Sequence, residues 1–187
     1  MIEKNPTELL KINIEDNDEH GIPFTNKDLK ILWENRDNDI AQVLLIMYHS
    51  GYRIGKLSVI GVNLDSKSFS DGLKTRTSKE RVVPIHSTIL PIISQRLKEY
   101  GSVMCMSNQN FRNLMYSYIK SIGIERHTPH DCQHTFSRLC EEYSVRENER
   151  KRMLGHKIGD ITKDTYGHRA LTDLREELEK IPSPNLL

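Results

Sequence analysis

The chain has 187 residues, 28% charged and 36% hydrophobic, which suits one domain of ordinary size with a real core. No apolar run approaches the length needed to span a bilayer, so a helical membrane protein is excluded. The net charge of +1 hides an uneven distribution: residues 1–40 carry ten Asp/Glu against five Lys/Arg, and the remainder carries 22 Lys/Arg against 16 Asp/Glu. An acidic lead thus precedes a basic body, and affinity for phosphate follows local patches rather than net charge.

Residues 1–24 read as an extended lead with Pro6, Gly21 and Pro23. Its start, MIEKNPTELL, has neither the basic nor the apolar region of a signal peptide. Thr25-Asn-Lys-Asp28 resembles a capping box and predicts a helix through Leu29, Leu32 and Trp33. Asp37 to Ser50 predicts a second, largely buried helix with Ile40, Val43, Leu44, Ile46 and Met47, stopped by a left-handed Gly51. A short helical stretch to Val59 follows Arg53. Residues 62–86 are β-prone pieces broken by polar turns, which predicts a small antiparallel sheet.

Helical spacing returns from Ser87 to Tyr100 and from Ser107 to Ile122, the latter with Phe111, Leu114, Met115, Tyr118 and Ile119 on its apolar side. Thr128-Pro129 predicts the start of a helix to about Tyr143, with the threonine hydroxyl as cap. Further helices are expected at 147–154 and 171–180, with Pro182 and Pro184 ending the order. The expected class is mainly α with one small antiparallel β-sheet. The three cysteines, Cys105, Cys132 and Cys140, lack metal-ligand spacing, and their odd number suggests reduced thiols and a cytoplasmic location.

Chemistry-bearing residues fall in separated segments: Gly51-Tyr-Arg53-Ile-Gly-Lys-Leu57, Thr128-Pro-His130-Asp-Cys-Gln-His134-Thr-Phe136, and Leu154-Gly-His156 leading to Tyr166. Gly72-Leu-Lys74-Thr lies between the first two. In this order the segments resemble the signature boxes of the tyrosine recombinases, especially the integrases of temperate phages and conjugative transposons. The resemblance runs from about Asn5 to Leu178. Its most specific piece is Leu154-Gly-His156 with Tyr166 ten residues after the histidine.

That resemblance implies a tyrosine recombinase catalytic-domain fold, with a lead or linker over 1–24, a catalytic domain over 25–169, and a C-terminal helix and tail over 170–187. It implies site-specific DNA recombination or integration through a 3′-phosphotyrosine, with neither metal nor other cofactor. Tyr166 matches the nucleophile, Arg53 the first family arginine, Lys74 the sheet lysine that protonates the leaving 5′-oxygen, His130 the general acid/base, and His156 a second phosphate-binding histidine. Lys74 lies among Arg76, Lys79 and Arg81, which a solvated hairpin tip would equally explain. The implied partners are double-stranded DNA, further copies of the chain in a tetramer, and an N-terminal core-binding domain that this sequence lacks. The segment 171–187 is expected to dock on a neighbouring copy, or else to pack on its own domain.

Two positions depart from the family. Gln133 stands where a second arginine is expected, and Lys56 where an acidic residue is usual. A neutral amide cannot supply transition-state charge, so strand cleavage is expected to be impaired. The alternatives are a catalytically inactive DNA-binding remnant and a relative of the type IB topoisomerases. His130 and His134, four apart, could in principle hold a metal ion, but Asp131 replaces the glutamate of the zincin pattern and no third ligand is evident.

Overall fold

The first helix begins where its capping chemistry places it. Thr25 Oγ1 accepts from the Asp28 amide, and the Asp28 carboxylate accepts from the Thr25 amide. The computed structural model describes residues 21–71, 81–156 and 168–187. Its helices are α1 (Asn26–Glu34), α2 (Asp39–Ser50), α3 (Ile54–Leu57), α4 (Leu90–Tyr100), α5 (Asn108–Ser121), α6 (Asp131–Glu142), α7 (Glu147–Leu154) and α8 (His168–Leu178). Strands β1 (Ile60–Asn63), β2 (Ser68–Asp71) and β3 (Val82–Pro84) form an antiparallel sheet in sequence order, with Val62 opposite Phe69 and Phe69 opposite Val83. None of the described helices is long and apolar enough to cross a membrane.

The core is built around α2. Eleven of its residues, Ile40 through Ser50, are buried, so it is enclosed on all sides rather than half-exposed. It begins two residues later than its apolar pattern suggests, because the Asn38 side chain caps the Ile40 amide. Gly51 ends it in the left-handed conformation, with φ 67°. A Cβ there would lie 2.9 Å from the Phe136 ring of α6, so this turn requires glycine on both counts. The helix α6 packs against α2, and residues 22–26 cross α6. Phe24 stacks on His127 at 3.9 Å and donates its amide to Thr135 Oγ1.

Two expectations are corrected. The helix predicted with Thr128 as cap and Pro129 as its first residue starts two residues later, at Asp131. Its N-cap, His130, makes no side-chain capping bond, and the Asp131 carboxylate closes the preceding turn by accepting from the Thr128 amide at 2.8 Å, 3.3 Å from His127 Nδ1. That turn holds His130 exposed at the helix start. The chain also stays ordered past Pro182, closing in a 3-10 turn at Pro184–Leu186. The prolines end the helix but not the packing, because Ile181 is buried and its carbonyl pairs with His86 Nε2 at 2.8 Å.

The apolar face of the C-terminal segment is thus used within the chain. Leu174, Leu178 and Ile181 join the core, and Glu179 accepts from both the amide and the hydroxyl of Ser87. His86 Nδ1 accepts from the Thr88 amide, so Nε2 must be the donor to Ile181 and the ring is neutral. Burial holds both His86 and the adjoining His49 below the ordinary 6.5, although Glu179 pulls His86 upward. The unfolded chain binds protons on these rings first. Stability is therefore expected to be full above about pH 6.5 and to fall as the pH drops below that value. Urea unfolding at pH 7.5 and 5.5 checks this, and His86→Gln should flatten the slope. A slope unchanged by the substitution would count against the assignment.

Candidate active site

Three of the predicted residues meet around one cleft. Arg53 follows the left-handed turn of α2 and stands at the start of α3, while His130 and Gln133 occupy the first turn of α6. Packing of α2 against α6 brings these segments together across 80 residues of sequence. The cleft holds about 260 Å³ and is lined by Arg53, Ile54, Arg112, Tyr116, Thr128, Pro129, His130 and Gln133. No carboxylate is among these eight side chains, so the cleft presents cations and neutral donors to whatever enters.

Gln133 has a defined task. Its Oε1 accepts from Arg53 Nε at 3.0 Å, and its Nε2 donates to the Gly51 carbonyl at 3.1 Å. The amide therefore braces the arginine against the end of α2. Arg53 is exposed, and its two terminal nitrogens make no other bond among the described residues. A guanidinium fixed at Nε with its fork open is suited to a phosphate. The His130 ring meets His134 edge-on at 4.6 Å, and His134 in turn abuts Gly21.

His156 is exposed just beyond α7 and is not among the cleft-lining residues. Gly155, at φ 73°, ends α7, and the His156 amide returns to the Lys151 carbonyl. Lys56 lies exposed at the end of α3, also outside the cleft lining. Lys74 and Tyr166 lie outside the described residues. Among those described, no three metal-ligating side chains converge.

Sequence reasoning missed several positions. Arg112 and Tyr116, one turn apart on α5, also line the cleft. Arg81 ties two site segments together: its guanidinium lies 3.9 Å over the Tyr52 ring, and its Nη1 donates to the Leu154 carbonyl at 3.0 Å. A Cβ on Gly155 would lie 2.7 Å from that guanidinium, so the glycine admits the arginine. The one available signal for Arg112 and Tyr116 was their place beside the buried stripe Phe111, Met115 and Ile119. It marks the edge of a helix face without saying what lies opposite.

No family model matches the chain. In sequence it is 26% identical over 156 residues to a tyrosine recombinase of Agathobacter rectalis, an alignment covering 74% of this chain and 50% of that protein. The chain thus spans about half the length of the curated relative it matches. In structure it is similar to the integrase from mycobacterium phage Brujita, with a TM-score of 0.65 at 14% identity over 87% of this chain and 58% of the other. It is also similar to the XerA recombinase, with a TM-score of 0.57 at 17% identity over 88% and 62% of the two chains. The mainly helical architecture with a three-stranded antiparallel sheet is the fold that these proteins share.

Proposed function

We propose that this chain, a relative of the tyrosine recombinases in sequence and fold, breaks and rejoins DNA strands as the catalytic domain of a site-specific recombinase or integrase. The observation that carries the reading is the carboxylate-free cleft lined by both Arg53, with its fork open, and His130. A phosphodiester entering it meets fixed donors where charge develops during transfer.

The Tyr166 hydroxyl gives its proton to His130 as its oxygen attacks phosphorus, a 3′-phosphotyrosine bond forms and the bond to the 5′-oxygen breaks. Lys74 returns a proton to that oxygen, which leaves as a 5′-hydroxyl. A 5′-hydroxyl from a partner strand then reverses the sequence and reseals the DNA. The bond energy stays in the covalent link, and one transfer is divided into two easier ones. His130 moves protons at the phosphate, and His156 is assigned a hydrogen bond to it. Double-stranded DNA, further copies of the chain in a tetramer and a core-binding domain are the proposed partners.

Gln133 lowers the rate, because its amide adds no positive charge and its donor and acceptor are already committed to Gly51 and Arg53. The same observation supports a second reading, a DNA-binding remnant without cleavage. The two are separated by a nicked duplex carrying a site that the chain itself selects from a random pool. A small yield of covalent complex, absent in Tyr166→Phe and raised at least ~10-fold by Gln133→Arg, is expected. No complex above the Tyr166→Phe background would leave the remnant reading. Linkage mapped to Tyr116, which lines the cleft, would move the nucleophile.

A further inference from the structure

The cleft contains a second guanidinium that the sequence pattern did not assign. Arg112 lines it from α5, together with Arg53, His130 and Gln133 from α3 and α6. The buried side of α5 is Phe111, Met115 and Ile119, so Arg112 and Tyr116 sit at the edge of that stripe, where the helix borders the cleft. Arg112 is exposed, and no carboxylate pairs with it among the described residues. Arg126 lies over the Tyr116 ring at 5.7 Å, adding positive charge beside the cleft lining. In the same cleft, the side chain at 133 is neutral, and both ends of its amide are engaged.

Charge that position 133 cannot supply is thus available from a different helix. We propose that Arg112 binds the scissile phosphate as the second guanidinium of the site, donating to a non-bridging oxygen and compensating in part for Gln133. The proposal rests on the reading of the chain as a DNA strand-transfer enzyme. It adds a catalytic residue that the motif spacing does not contain.

The experiment is a double-mutant cycle combined with a salt titration. Covalent complex formation on the selected nicked duplex is measured for the parent chain, Arg112→Ala, Gln133→Arg and the double variant. Arg112→Ala is expected to slow cleavage about 10²-fold in the parent, and less than ~10-fold once Gln133→Arg has restored the missing charge. Equal losses in both backgrounds, or a loss under about threefold in the parent, would overturn the proposal. Arg112→Lys should recover part of the rate.

The salt dependence of binding to duplex DNA is read in parallel and requires no chemistry. Its log–log slope should fall by about 0.9 in Arg112→Ala, the loss of one phosphate contact. Lys98→Ala, an exposed cation on α4 outside the cleft, should leave the slope unchanged. If no variant forms a covalent complex, the strand-transfer reading fails. The slope then decides Arg112 alone: a fall supports its phosphate contact, and an unchanged slope overturns it.

Discussion

Replacing Arg53 by alanine is expected to lower covalent complex formation by about 10³-fold or more, the scale typical of a lost cationic donor in phosphoryl transfer. The effect should fall on chemistry and spare folding. Arg53 is exposed, and among the described residues its one side-chain hydrogen bond is to Gln133, so unfolding free energy should stay within about 0.5 kcal/mol of the parent. Its affinity for duplex DNA should fall less than ~10-fold, with the salt slope lower by about 0.9. Arg53→Lys keeps the charge but loses the Nε bond to Gln133 and the planar fork, so it should remain ~10²-fold slow. Quench-flow on the nicked duplex, with urea unfolding as control, checks these values. Loss of stability in step with loss of cleavage would show that Arg53 holds the fold instead.

The largest effect on stability is expected at Arg96. This side chain is 0% exposed and is held by three bonds of 2.7 Å, to the Val103 carbonyl, Asp39 Oδ1 and Gln42 Oε1. It joins α4 to the start of α2 and to the loop that leads into α5. Arg96→Ala opens a cavity and leaves a buried carbonyl and a buried amide oxygen unpaired, at a cost of about 3–5 kcal/mol. Asp39 is 43% exposed, so its ion pair is largely screened and Asp39→Asn should cost under ~1 kcal/mol. Urea unfolding of both variants tests the assignment. Equal losses would mean that the charge pair, not the anchoring of backbone and amide, carries the stability. Because α5 supplies Arg112 and Tyr116, loosening this anchor should also blunt cleavage by the folded fraction.

Much of this architecture was legible from residues a few positions apart. The Thr25–Asp28 capping box and the left-handed stop at Gly51 act over one to four residues, and strands β1 and β2 pair residues no more than eleven apart. Their signals survive in a linear sequence because the partners are adjacent in it. The start of α6 was misplaced for the same kind of reason. Thr128-Pro129 reads as a helix start, but the Asp131 carboxylate, buried beside His127, accepts from the Thr128 amide and closes a turn ahead of the helix. The order past Pro182 depends on His86, 95 residues away, which no local pattern announces.

Arg53, His130 and Gln133 were singled out as candidates from motif order, and α2 packed on α6 is what brings them to one cleft. The neutral residue at 133 was equally plain in the sequence. Its work was not, because both partners of its amide lie about 80 residues away, at Gly51 and Arg53. Arg112 went unnoticed, and Arg81 read only as part of a basic hairpin tip, for a related reason: a guanidinium on a helix edge or strand end gains a role only from what tertiary packing sets opposite it. By itself the sequence determined the elements, their caps and the family pattern, since these are written in short-range spacing. The tertiary structure alone decided which cations share a cleft, because that depends on helices meeting across gaps that no spacing encodes.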